Sequence, residues 1–112
     1  MSGIVGTSKS KSGVIGRSQD TAKAWVNLDG TGTPHTNQSF NVSTIGDTPS
    51  GIFTVNFINP MSSTTYCVVT SSTGSYNTGA QTYATGSVVL RNSDTDGTNA
   101  DIDLICAVVY EN

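Results

Sequence analysis

Apolar and polar residues alternate with a period of two along most of this chain, the pattern of strands with one buried face. The clearest run is Ile52 to Ile58, where Phe53, Val55 and Phe57 point one way and Thr54 and Asn56 the other. Lys23 to Leu28 sets Ala24, Val26 and Leu28 against Trp25, and Ser39 to Ile45 puts Phe40 and Val42 on one face. Thr65 to Ser71 sets Tyr66 and Val68 against Cys67 and Val69, and Ser87 to Arg91 is built around Val88-Val89-Leu90. Asp101 to Glu111 places Ile102, Leu104, Cys106, Val108 and Tyr110 on one face. Its other face carries Ile105, Ala107 and Val109, as expected of a central strand covered on both sides.

Turn chemistry separates these runs. Asp29-Gly30 with Pro34, Gly46-Asp47-Thr48-Pro49-Ser50-Gly51, and Asn59-Pro60 each stop a strand, because Gly and Asn tolerate turn dihedrals and Pro cannot donate to a ladder. Ser72 to Tyr83 is polar and contains Gly, and reads as a long exposed loop. No α-helix is needed: Ala22-Lys23-Ala24-Trp25 could begin one, but Asp29-Gly30 follows too soon. The prediction is therefore all-β: a small antiparallel β-sandwich or partly closed barrel of about six strands, with an extended N-terminal arm. Its predicted core is Phe40, Val42, Phe53, Val55, Phe57, Val68, Leu90, Leu104 and Cys106.

Composition agrees with that class. Ser, Thr, Asn and Gly supply nearly half of the 112 residues, and charged residues only 12%, against about 25% in ordinary globular domains. Residues 1–22 stand apart from 23–112. Gly3-Ile4-Val5-Gly6 recurs loosely as Gly13-Val14-Ile15-Gly16, with a polar Ser/Lys stretch between. Such a segment cannot build a core of its own. Ile4, Val5, Val14 and Ile15 are instead candidates for docking into a partner subunit. Lys9, Lys11 and Arg17 of the arm, with Lys23 just beyond it, are four of the chain's five positive residues, so the N-terminal segment is basic and the remainder acidic, for a net charge of −3. No aromatic residue is interleaved with those charges, which argues against nucleic acid as the partner. The start of the chain has no apolar run suited to a signal peptide, and no stretch approaches a membrane span. Synthesis and retention in a cytoplasm, without membrane insertion, is the expectation. In that compartment Cys67 and Cys106, both within apolar strands, are expected as buried thiols rather than a disulfide.

Nothing in the spacing selects a catalytic set. The single histidine, His35, lies in a predicted loop with no partner singled out. Asp94, Asp96 and Asp101, around Gly97, alternate as oxygen ligands for calcium would. The EF-hand pattern would require a Glu where Ile105 stands, so they are weak metal candidates beside the plain reading of Asp-Gly as a turn. The glycines do not open a helix after a strand, as a dinucleotide site requires, and two cysteines with one distant histidine make no zinc set. No cofactor and no catalytic residue is expected. Tyr76 and Tyr83, flanking a polar stretch with Ser75, Asn77, Thr78 and Gln81, are the candidates for surface recognition.

Lys23-Ala24-Trp25-Val26-Asn27-Leu28-Asp29-Gly30-Thr31-Gly32-Thr33 is followed by Ser39-Phe40-Asn41-Val42-Ser43 and Thr54-Val55-Asn56-Phe57, then Met61 and Tyr66. In order and spacing this resembles a β-module repeated in marine bacteriophage virion proteins, many of them tail fibres, over roughly residues 13–70. The resemblance implies a tail fibre- or spike-like virion structural protein, assembled in the host cytoplasm. It would be a homotrimer docked to other virion proteins, with a host-surface glycan as a possible ligand. A capsid decoration or cement protein stabilising the head suits the short chain equally. A stand-alone carbohydrate-binding module and a small hydrolase are the readings from other classes.

Overall fold

The structure is a computed structural model that describes residues 21–111. Ile4, Val5, Val14 and Ile15 lie outside the described residues. Eight strands follow in order: β1 (Ala24–Asp29), β2 (His35–Phe40), β3 (Val42–Asp47), β4 (Ile52–Phe57), β5 (Cys67–Ser72), β6 (Asn77–Tyr83), β7 (Ser87–Ser93) and β8 (Ile105–Tyr110). They form two four-stranded sheets, β2-β1-β8-β5 and β3-β4-β7-β6, and every pairing is antiparallel. The sheets pack face to face as a sandwich and do not close into a barrel. Among the described residues there is no helix.

The period-two pattern is what joins the sheets. Ala24, Val26 and Leu28 of β1 and Ile105, Ala107 and Val109 of β8 point inward from the first sheet. Phe53, Val55 and Phe57 of β4, with Val88 and Leu90 of β7, meet them from the second. Phe53, Leu28, Leu90 and Ile105 are 0% exposed. Ile102 and Gly30 close one end of this core. A Cβ on Gly30 would lie 2.6 Å from the Phe53 ring, so only glycine fits there. Met61 and Tyr66 close the other end.

Four sequence expectations need correction. Ser39 to Ile45 is not one strand. Asn41, with φ at 59°, turns the chain from β2 in the first sheet to β3 in the second. Asn is among the residues that tolerate this left-handed conformation. Its side chain fixes the corner: Nδ2 donates to the Lys23 and Asn59 carbonyls, and Oδ1 accepts the Asn59 N–H. Val42 is therefore buried, while Phe40 stands 51% exposed on the outside of the first sheet. Second, Ser72 to Tyr83 is not a loop: it contains β6, an edge strand whose Asn77–Thr82 stretch is too polar to show as a strand by hydrophobic alternation. Third, β8 has the opposite facing to the core prediction. Its register with β1 aligns Leu28 with Ile105 and Val26 with Ala107, so Cys106, Val108 and Tyr110 face outward and Leu104 is only half-buried. Val68 is likewise only partly buried, packed against the core. Fourth, Cys67 is exposed and Cys106 half-exposed. Both are free thiols, but neither is buried.

Candidate interaction surfaces

The topology gives the sandwich two unlike poles. The chain enters at one, where Lys23 N–H donates to the Val109 carbonyl, and the 58–66 and 84–86 connections and Glu111 lie at the same end. The opposite pole gathers the connections 30–34, 48–51, 73–76 and 94–104. Backbone bonds tie them together: Gly30 N–H to the Ile102 carbonyl, Asn92 N–H to the Gly51 carbonyl, and Thr73 N–H to the Leu104 carbonyl. Of the seven carboxylates among residues 21–111, six (Asp29, Asp47, Asp94, Asp96, Asp101 and Asp103) stand at this second pole.

Those acids are mostly engaged in holding loops. Asp94 Oδ1 accepts the N–H groups of Asp96 and Thr98, as an Asx turn does, and Asp101 Oδ1 accepts the Gly51 N–H at 2.7 Å. Asp94, Asp96 and Asp101 are not brought into a ligand shell, and among the described residues no three His, Cys, Asp or Glu side chains are grouped to hold a metal ion. Asp29 accepts both the hydroxyl and the N–H of Thr31, first the hydroxyl, and these bonds hold its carboxyl below the usual carboxylate range. His35 opens β2 rather than sitting in a loop, opposite Asp29 in register. It is exposed, with Nδ1 donating to the Thr33 carbonyl at 3.2 Å and, among the described residues, no hydrogen bond to a carboxylate or hydroxyl nucleophile.

Beneath the acidic pole lies a residue that the sequence reading passed over. Asn92 is 0% exposed, and with Ser93 it is one of two buried polar side chains among the described residues. Its Nδ2 donates to the Ala100 carbonyl, and its Oδ1 accepts the Thr78 hydroxyl at 2.7 Å. Its own N–H and carbonyl pair with Gly51 and Ala100. Three segments, at Thr78, Gly51 and Ala100, are thus locked to one buried residue. Arg91 adds a second lock from the outside, with Nε to Asn99 Oδ1 at 2.6 Å and Nη2 to the Gly97 carbonyl. A faint signal existed: Asn92 continues the inward parity of Val88 and Leu90.

Tyr76 and Tyr83 are not brought together. Tyr76 is exposed in the connection before β6 at the acidic pole, and Tyr83 ends β6 at the entry pole. Tyr83 leans on Tyr66, with ring centroids 5.1 Å apart, and Tyr66 in turn meets Phe57 edge-on at 6.1 Å. The Tyr66 hydroxyl donates between the Ala84 and Ser87 carbonyls; burial pushes it above the ordinary tyrosine range. Tyr83 is thus half committed to packing, and Tyr76 is the freer of the two.

The two outer sheet faces differ in kind. On the β3-β4-β7-β6 sheet, Thr44, Thr54, Asn56, Ser87 and Arg91 stand outward with Val89 among them, and a shallow hollow of about 310 Å³ along β6 and β7 is lined by Asn77 to Gln81, Arg91 and Ser93. On the β2-β1-β8-β5 sheet the register places Phe40, Trp25, Val108 and Val69 side by side, one from each strand. Tyr110 opposite Cys67 extends this row toward the entry pole, and Asn27, Gln38 and Ser71 border it on the other side. Outward positions of a solvated sandwich are ordinarily polar, so the apolar row is a surface feature that folding alone does not require.

No protein-family model matches this chain, and no curated protein or solved structure is significantly similar to it.

Proposed function

We propose that the chain is a bacteriophage virion structural protein: a tail fibre- or spike-like module, homotrimeric, docked to other virion proteins through its N-terminal arm. The observation that carries this reading is the polarity of the domain. The basic arm joins at one pole, and four interlocked connections bearing six carboxylates stand at the other. A module of this kind is held at one end and presents the other. The resemblance of residues 13–70 to phage β-modules supports it from the sequence side.

In this reading Ile4, Val5, Val14 and Ile15 insert into a partner subunit, and the pole carrying Tyr76 faces a host-surface glycan. The chain does no catalysis and uses no cofactor. The assembled virion is its location. The test is deletion of residues 2–16. The truncated protein is expected to keep its β-sheet circular dichroism and cooperative melting but to fail to enter the particle. Normal incorporation would overturn the proposal. The flat apolar row on one sheet favours a second reading, a decoration protein lying on the capsid lattice. Imaging of labelled protein on virions, at the head or at the tail, separates the two.

A further inference from the structure

We propose that the outer face of the β2-β1-β8-β5 sheet is the receptor for the N-terminal arm of a second copy of this chain, with the Gly13-Val14-Ile15-Gly16 segment seated across Phe40, Trp25, Val108 and Val69. The inference rests on the reading that the arm docks, and names what it docks to.

The face has the chemistry of an interface core. Val69 is 57% exposed and Phe40 51%, on the two edge strands, and Trp25 and Val108 bridge them. Tyr110 and Cys67 extend the apolar area toward the entry pole. None of the four strands of this sheet contains a Lys or Arg, Lys23 standing just before β1. Depletion of charge with enrichment in aromatic residues is the composition that marks the centre of protein interfaces.

Size selects the occupant. Four strands about 4.8 Å apart, over two rows of side chains about 6.8 Å apart, give a patch of roughly 250–300 Å². A stable domain-on-domain interface needs about 800 Å² from each partner, so this face is too small for two sandwiches to meet flat. It matches a short apolar segment, and the chain carries two, each Gly-flanked so that the backbone approaches closely. Charge agrees. Residues 1–20 carry Lys9, Lys11 and Arg17 against Asp20, whereas residues 21–112 carry two positive and seven negative side chains, a net of −5. Glu111 follows Tyr110 at the entry pole, its carboxylate accepting from the Ser62 N–H and hydroxyl.

Reach favours a neighbour. β1 pairing already begins at Lys23, where the chain leaves the end of the sheet. Lys23 lies eight positions after Ile15, with seven residues between them, a span of up to about 26 Å when extended. An arm continuing along the line of β1 moves away from its own face, and to cover that face it must reverse within Gly16 to Ala22. One arm given and one face received per chain makes a head-to-tail contact, which generates a ring when its rotation closes, as in a homotrimer, and a filament when it does not.

Complementation tests this. One protein lacks residues 2–16 and keeps the face. The other, Phe40→Lys with Val69→Lys, keeps the arm and changes two exposed edge-strand positions; circular dichroism checks that each is folded. Light scattering is expected to find the full chain oligomeric and each variant alone monomeric. Mixing the two should give a one-to-one complex, with Trp25 fluorescence shifted to the blue. A mixture that stays monomeric overturns the inference, as does a Phe40→Lys/Val69→Lys protein that assembles like the parent. The latter result leaves the arm reading intact if the deletion still blocks assembly, whereas a deletion variant that assembles normally defeats the arm reading itself. A full chain that is monomeric at every concentration, with Trp25 already shielded, assigns the face to the chain's own arm and overturns the second-copy proposal.

Discussion

Asn92 offers the sharpest test of how this sandwich is held together. Its amide makes two side-chain hydrogen bonds inside the core, to the Thr78 hydroxyl and the Ala100 carbonyl. Each is worth about 0.5–1.5 kcal/mol net, and a partner left buried without a bond costs about 1–3 kcal/mol. Asn92→Ala strands both partners and leaves a small cavity, so a loss of about 2–4 kcal/mol is expected from these terms. That is a large share of the roughly 5–15 kcal/mol that holds a small domain together, and corresponds to a melting point lower by about 8 °C or more. Asn92→Asp separates hydrogen bonding from charge. Burial penalises the ionised carboxylate, so the folded-state pKa of this Asp is raised above its unfolded value of about 3.9. The sign follows: the extra penalty is absent below the unfolded pKa and grows as pH rises toward the folded one, by up to about 1.4 kcal/mol per unit. Below that range the protonated carboxyl can donate to the Ala100 carbonyl as the amide did. Urea unfolding followed by circular dichroism at pH 4.5 and 7 would measure both variants against the parent. An Asn92→Ala protein within about 0.5 kcal/mol of the parent, the range of ordinary surface changes, would refute the lock. So would an Asn92→Asp penalty that is the same at both pH values.

Phe53→Ala, at a site with no exposure, should cost about 3–5 kcal/mol; a melting point within a degree or two of the parent would contradict the described facing of β4. Gly51 has φ of +76°, and a Cβ there would overlap the Asn92 carbonyl and lie 2.6 Å from the Ala100 nitrogen. Gly51→Ala should therefore be strongly destabilising, whereas Gly97→Ala, also at positive φ but in open space, should cost only the backbone strain; equal melting points would refute this contrast. Tyr66 has a raised pKa, so its stabilising contribution is intact below the ordinary value near 10 and fades as pH rises through the folded value. Tyr66→Phe should lose about 1–2 kcal/mol at neutral pH and flatten the alkaline limb of a melting-point profile. Thr31→Val should raise the Asp29 titration midpoint seen by carboxyl carbon NMR, because it removes the Thr31 hydroxyl bond, the larger of the causes that lower it, and keeps the backbone one; an unmoved midpoint would show that the hydroxyl bond does not form in solution.

Much of the architecture was legible because burial imposes its period directly on the residues. Phe53, Val55 and Phe57 declare β4, and Ala24, Val26 and Leu28 declare β1, since a one-residue slip would turn each set to solvent. The signal fails where a strand has no buried set of its own. Edge strands β2 and β6, His35–Phe40 and Asn77–Tyr83, are held by backbone pairing with a neighbour, and the polar start of β2 at His35 and the whole of β6 read as loop. It fails differently in β8, where both faces are apolar. Alternation is then present, but parity alone does not say which face is inward; only the register with Leu28 and Val26 decides it. Asn41 reads as one more polar residue within a strand, yet its dihedral sends the chain to the other sheet. The surfaces followed the same logic. The outward row of Phe40, Trp25, Val108 and Val69 comes from four separate strands and exists only once they are paired, so no single segment announces it.

The two apolar faces of β8 connect the fold to the proposed assembly. A lone sandwich gains nothing from Val108 or Tyr110 in water, and with 12% charged residues it has few side chains to keep copies apart. Edge strands usually carry charge for that purpose; β2 and β6 carry none beyond His35. On the β5 and β6 side, Thr70 Oγ1 donates to the Thr78 carbonyl at 2.6 Å, so one sheet edge partly caps the other. The edges are therefore guarded in part by each other, while the outer face of the first sheet has no such guard. The proposed joint takes this apolar face as one half and the basic segment of residues 1–20 as the other. Monomer solubility would favour Lys at positions 40 and 69, and the Phe and Val found there lower it. Their presence is understandable if the stable unit is the assembly and not the chain.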